Sequence, residues 1–130
     1  MSSNHRLTQR ESNALILRYI TAIKGVYQSG NATEHSYRPA LCDLLSDILQ
    51  SYSVINEERR IACGAPDLTI SKNGAPVFFL EAKDIGESYL SGESNINQFN
   101  RYTSALNAVV FSDYLCFNLY LQGQIGRAHV

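Results

Sequence analysis

Residues 66–83 read Pro-Asp-Leu-Thr-Ile-Ser-Lys-Asn-Gly-Ala-Pro-Val-Phe-Phe-Leu-Glu-Ala-Lys, and this stretch decides the expected fold. Residues 75–83 are rich in β-branched and aromatic residues and follow a Lys-Asn-Gly turn signal, which predicts a strand. The shorter alternation over 67–70 predicts an antiparallel partner for that strand. Because side chains alternate along a strand, Glu81 and Lys83 share a face, and the pairing brings Asp67 toward Glu81.

The spacing PD-x13-ExK places two carboxylates and a lysine where a divalent cation and a phosphate could meet. Mg²⁺ prefers oxygen ligands and commonly takes one or two protein carboxylates, which Asp67 and Glu81 supply. The charge of Lys83 would hold the attacking water and the scissile phosphate. These residue types match phosphodiester hydrolysis with Mg²⁺, or with Mn²⁺ in its place. A bare ExK is more often a solvated strand pair, so the interpretation depends on the surrounding sequence.

Five further segments extend the pattern. They are TEHSYRPAL (33–41), ERRIACGAPDLTI (58–70), FFLEAKDIG (78–86), QFNRY (98–102) and FSDYLCFNLY (111–120). In this order, the chain from Thr33 to about Gln122 resembles the PD-(D/E)xK nuclease superfamily. More narrowly, it resembles the N-terminal nuclease domain of single-polypeptide restriction-modification enzymes fused to an adenine-N6 DNA methyltransferase. The resemblance implies an α/β, restriction-endonuclease-like fold: an αβββαβ core, a mixed central sheet flanked by helices, and an extra N-terminal helix.

The resemblance also assigns roles to site residues. Glu34 matches the acidic residue that this family often places on its first core helix, which implies a third metal ligand beside Asp67 and Glu81. Gln98 and Tyr102 lie one helical turn apart and face the same way, and they are expected to position the DNA strand or the lysine. The expected catalytic residues are Asp67, Glu81, Lys83 and Gln98.

DNA contacts are expected from a separate group of residues: Arg38, Arg60, Arg101 and Tyr102. Each arginine could equally be a solvated surface charge. The net charge of −1 gives the chain no overall basic character. The expected partner is double-stranded DNA, cut by a chain that relies on methyltransferase and target-recognition domains outside these residues, and the family allows a dimer on DNA.

Two alternatives stay open at this stage. The same fold could serve as an inactive DNA-docking or assembly module of a larger protein. A weaker alternative is an RNA or recombination nuclease with this fold. Retention of all three core residues, Asp67, Glu81 and Lys83, argues against a decayed site.

Hydrophobic periodicity predicts the order of elements along the chain. We expect helices over about 11–27, 36–52 and 96–106, with Ser36 capping the second helix. We expect strands over about 54–62, 67–70, 75–83, 108–112 and 115–121, and a loop over 84–94.

Length and composition predict one domain, with 45% hydrophobic and 18% charged residues. We assign residues 1–123 to it. Residues 124–130 can be back-translated to codons that resemble a sequencing adapter read in frame, so we predict that they are an artefact and that the gene continues into a methyltransferase region. The three cysteines lack metal-ligand spacing and are expected to be reduced. Without a membrane-length apolar run or a signal-peptide core, the protein is expected to be soluble and cytoplasmic.

Overall fold

The computed structural model describes residues 6–56 and 60–129, and over these residues the chain forms a six-stranded mixed sheet and three α-helices. The helices are α1 (Gln9–Gln28), α2 (Arg38–Ile48) and α3 (Glu93–Ala105), and the strands are β1 (Ser53–Ile55), β2 (Leu68–Lys72), β3 (Ala75–Ala82), β4 (Ala108–Ser112), β5 (Cys116–Leu121) and β6 (Gln124–His129). The sheet order is β1-β2-β3-β4-β5-β6. All neighbouring pairs are antiparallel except β3 and β4, which run parallel and are joined through α3. The predicted fold class is confirmed.

The hairpin of β2 and β3 forms as the sequence predicts. Its register pairs Leu68 with Leu80, and a bulge interrupts the ladder between Ile70 and Ser71. Asn73 and Gly74 both have positive φ, 53° and 81°, which suits the tight turn of a two-residue hairpin. The turn helps to fix the register of the two strands. The register in turn determines which residues lie opposite each other at the open end of the hairpin, where the acidic residues are.

The two faces of the sheet carry separate apolar clusters. One is covered by α1 and α2 and contains Leu68, Leu80 and Ala82. The other includes Val109 and Phe111 and packs against residues of α3. Side chains alternate along β3, and Phe79 belongs to the second cluster, so Glu81 lies on the same face of the sheet as α3. Gln98 of α3 contacts Glu81 on this face.

The second predicted helix is shorter than expected, and its predicted start was wrong. Glu34–Tyr37 form a 3₁₀ turn, and α2 begins only at Arg38. The hydroxyl of Ser36 accepts a hydrogen bond from the backbone N–H of Thr33 and therefore supports the turn rather than the helix. A proline fits the first turn of a helix, where its missing N–H has no intrahelical partner, so Pro39 sets the start at Arg38.

The strand predicted over 54–62 is also shorter, because β1 covers only Ser53–Ile55. Residues 57–59 of that prediction lie outside the described residues. Beyond them, Ile61 pairs with Gly64 in an isolated bridge. Gly64 adopts a φ of +139°, which lets the chain reverse just before Pro66.

The end of the chain contributes a strand that the sequence analysis left out of the fold. Strand β6 pairs with β5 along its whole length, after a turn in which Gln122 and Gly123 have φ of 52° and 81°. The adapter origin of residues 124–130 stays a prediction, since pairing does not depend on how the codons arose. Within the described residues, no helix has the length and apolarity needed to cross a membrane.

Candidate active site

Asp67 and Glu81 meet across the open end of the β2–β3 hairpin. Asp67 directly precedes β2, and Glu81 lies one residue before the end of β3. The backbone N–H of Asp67 donates to Glu81 Oε2 over 3.1 Å, and the N–H of Ala82 donates to Asp67 Oδ2 over 2.8 Å. Both carboxylates are buried, with 6% and 7% of their surface exposed. The hairpin therefore brings the two predicted acidic residues together, as the sequence indicated.

Two residues of α3, Gln98 and Tyr102, lie next to Glu81. Gln98 Nε2 donates to Glu81 Oε1 over 3.1 Å, while the buried Gln98 Oε1 has no partner. Tyr102 is 1% exposed and packs against Phe111. Burial and the nearby charge of Glu81 raise the pKa of Tyr102 to about 12. A hydrogen bond with the side chain of Gln98 lowers this pKa and so partly opposes the shift. Gln98 of the QxxxY pattern thus holds the Glu81 carboxylate in place, and Tyr102 acts as a core residue.

Arg38 makes a buried ion pair with Asp67. Its Nη2 lies 2.8 Å from Asp67 Oδ1, and the two side chains are only 10% and 8% exposed. A weaker hydrogen bond of 3.4 Å joins Nη1 to Asn56 Oδ1. From the sequence we expected Arg38 at a DNA phosphate, whereas the structure turns it inward because Arg38 begins α2 beside the acidic cluster that Asp67 and Glu81 form.

Glu34 and Lys83 lie at the edge of this cluster. Burial, followed by the charge of Asp67, raises the pKa of Glu34, and the ammonium of Lys83 opposes that shift. Lys83 also lowers the pKa of Glu81, so its charge acts on both acids. Its backbone N–H donates to Ser112 O over 2.8 Å, which extends the parallel ladder of β3 and β4 by one residue.

Burial sets the electrostatics of the site. It raises the pKa of Glu81 from 4.5 to about 8, and the nearby charge of Asp67 adds to the effect. Lys83 and the hydrogen bonds from the Asp67 backbone and from Gln98 oppose the shift without cancelling it. Two carboxylates that adjoin in a buried site disfavour joint ionisation unless a cation joins them. Glu81 is therefore favoured in its protonated form below about pH 8 unless a further cation compensates its charge.

The oxygen atoms at this site are suitable ligands for a hard divalent cation held by two carboxylates. Asp67 and Glu81 offer buried oxygens of the type Mg²⁺ prefers, and Gln98 Oε1 is an unpartnered oxygen beside them. Over residues 6–56 and 60–129, however, no group of three or more His, Cys, Asp or Glu side chains could hold a metal ion. The three predicted ligands do not assemble as one cluster, because Glu34 stays at the margin. Coordination by two carboxylates with water and phosphate remains chemically suitable.

The remaining predicted DNA contacts lie in different surroundings. Arg60 and Arg101 are exposed, and Arg101 Nε donates to the carbonyl oxygen of Cys63 over 3.2 Å. Tyr102 is buried between α3 and the sheet and presents no surface for DNA. Phosphate contacts by the two exposed arginines stay predictions.

Two supporting residues escaped the sequence analysis. Tyr114 is buried with φ of +74°, donates its hydroxyl to the carbonyl oxygen of Glu34 over 2.6 Å, and accepts the Tyr19 hydroxyl at its own carbonyl over 2.6 Å. Gly64 lies against Tyr102, where an added Cβ would come within 2.9 Å of the ring. Positive φ at tyrosine is rare and has no sequence signal. The glycine near Pro66 is a signal for a bend, but not for this close approach.

Comparisons with known proteins give a fold-level likeness. A chain in a cryo-EM structure of a DrdV–DNA complex superposes with a TM-score of 0.71 at 21% identity. The match covers 89% of the present chain and 12% of the other chain, so this chain spans a small part of that polypeptide. No protein-family model matches the sequence, and no curated protein matches it. The likeness establishes the restriction-endonuclease-like fold.

Proposed function

We propose that this chain is a Mg²⁺-dependent DNA endonuclease domain that hydrolyses phosphodiester bonds. The observation that carries the proposal is the buried pairing of Asp67 with Glu81 next to Lys83. Burying Glu81 beside Asp67 is unfavourable for a purely structural purpose, because burial and the nearby charge of Asp67 both push Glu81 toward protonation. A divalent cation would relieve that repulsion.

Each residue has a defined part in this reaction. Asp67 and Glu81 would hold Mg²⁺ through their carboxylate oxygens, and Gln98 fixes the orientation of Glu81. Bound there, the ion would supply an acidified water and a polarised phosphoryl oxygen. Lys83 would orient the attacking water and stabilise charge that develops on the phosphate. Exposed arginines such as Arg101 would hold the flanking backbone.

The parent protein is proposed to be a restriction-modification enzyme, with this chain as its nuclease domain. The sequence resemblance supports this placement, and so does the likeness to a short part of a much longer chain in a DNA complex. Methylation and target recognition would then belong to other domains of the same polypeptide, and double-stranded DNA would be the substrate.

Cleavage of unmodified supercoiled plasmid tests the proposal. We expect nicking in Mg²⁺ that EDTA abolishes and that Asp67→Asn removes. The substitution keeps the side-chain shape while weakening metal coordination. Asp47→Asn is the matched control, because Asp47 is a partly exposed acid that pairs with Arg18 away from the cluster. Plasmid binding without cleavage, unchanged by Asp67→Asn, would instead support a DNA-docking module.

A further inference from the structure

The ion pair of Arg38 with Asp67 is unusual within the described part of this chain because it is buried. Its side chains are 10% and 8% exposed, whereas those of the Arg18–Asp47 pair are 67% and 44% exposed. Water screens a surface pair strongly, but a buried arginine needs its counter-ion to offset the loss of hydration. Asp67 is therefore the main electrostatic partner of Arg38.

Arg38 has two weaker neighbours besides Asp67. Its Nη1 donates to Asn56 Oδ1 over 3.4 Å, and its guanidinium lies close enough to the Tyr114 hydroxyl to oppose the rise that burial causes in the pKa of that group. Its Nε is buried without a hydrogen-bond partner. At the opposite side of the acidic pair, the Glu81 oxygens accept from the Asp67 backbone and from Gln98. The guanidinium thus provides positive charge directly to the carboxylate that a metal would also need.

We infer that Arg38 is an internal cation that competes with a divalent metal for the Asp67 carboxylate and thereby sets the metal affinity of the site. This inference rests on the proposed function, because it assumes that Asp67 binds a metal ion. A metal and a guanidinium on one carboxylate repel each other in a site with little water to screen them. Metal entry therefore requires Arg38 to move away from Asp67.

Removing the charge of Arg38 while keeping a hydrogen-bond donor isolates this effect. Arg38→Gln leaves an amide that can reach toward Asp67 but carries no positive charge. We expect its affinity for Mn²⁺, measured without DNA, to rise roughly tenfold, since loss of one nearby like charge favours binding of a cation. Arg18→Gln is the matched control, because it removes an exposed arginine from an ion pair outside the site, and its Mn²⁺ affinity should equal that of the wild type.

Calorimetric or electron-paramagnetic-resonance titration with Mn²⁺ measures these affinities, with circular dichroism to confirm folding. Equal or weaker binding by folded Arg38→Gln, with measurable binding by the wild type, would overturn the competition alone. No binding by the wild type or by either variant would overturn the metal site, and with it the Mg²⁺-dependent reaction proposed above.

A measurement on the wild type covers the case in which Arg38→Gln does not fold. The Nε–H signal of Arg38 can be followed in a ¹H–¹⁵N spectrum during titration with diamagnetic Mg²⁺, with Arg101 as an internal reference. We expect the Arg38 signal to move or broaden as the site fills, because the guanidinium leaves Asp67. Saturation by Mg²⁺ with an unchanged Arg38 signal would refute the inference.

Discussion

Replacing Glu81 with glutamine should stabilise the metal-free protein at high pH. The carboxylate of Glu81 is 7% exposed and lies beside Asp67, and its pKa is raised from 4.5 to about 8. A raised pKa means that the folded state holds the proton more tightly than the unfolded state. Its stabilising effect is complete below about pH 4.5 and is lost as the pH rises through about 8. Glutamine has no such titration.

The size of the effect follows from the shift. Each pKa unit corresponds to about 1.4 kcal/mol, so a change from 4.5 to about 8 gives an upper limit of about 5 kcal/mol. We expect the variant to gain at least about 2 kcal/mol over the wild type at pH 9 and less than about 1 kcal/mol at pH 5. The introduced amide also suits Gln98, which can rotate to offer its unpartnered Oε1 as an acceptor.

Urea unfolding in EDTA between pH 5 and 9 measures this difference directly. Glu93→Gln is the control, because Glu93 is exposed in the first turn of α3. Parallel pH profiles for the wild type and Glu81→Gln would refute the electrostatic account of the site. In Mg²⁺ the order should reverse, because the wild type gains stability from binding that the variant largely lacks.

Two further substitutions test stability, one beside the site and one away from it. Gly64→Ala should destabilise by about 2–4 kcal/mol in thermal or urea unfolding, because its Cβ would meet the Tyr102 ring at 2.9 Å and its φ is +139°. Gly25→Ala, with nothing within 4 Å, is its control and should be neutral or stabilising; equal effects would contradict the close packing. Arg18→Ala should change stability by less than about 1 kcal/mol, since its pair with Asp47 is exposed, and a larger loss would show that this pair is structurally important.

The hairpin and the acidic pair could be predicted from sequence because their determinants are local. Strand alternation and the Asn73-Gly74 turn fix the register, and the register brings Asp67 to Glu81. The face of α3 that holds Gln98 follows equally from helical spacing. The register and the helix face each depend on residues within one helix or one hairpin.

The partners of the site could not be predicted, because they depend on tertiary packing. Arg38 and Asp67 are separated by 29 positions, and only the approach of α2 to the hairpin decides that the arginine turns inward. Tyr102 has the spacing of a site residue but the burial of a core residue, which sequence does not distinguish. Strand β6 was left out because its residues read as adapter sequence, although their backbone pairs regularly with β5.

Plasmid cleavage by Lys83→Gln tests the central claim most directly, because this lysine has no assigned role in metal binding. Lys72→Gln is the matched control, since Lys72 is exposed on β2 with its ammonium 5.2 Å from the centre of the Tyr52 ring. Under single-turnover conditions in Mg²⁺, we expect Lys83→Gln to lose about 10²–10³-fold in rate while it still binds Mn²⁺, and Lys72→Gln to match the wild type. Cleavage by Lys83→Gln at the wild-type rate, or none by the wild type, would contradict the assignment of this site as a nuclease centre.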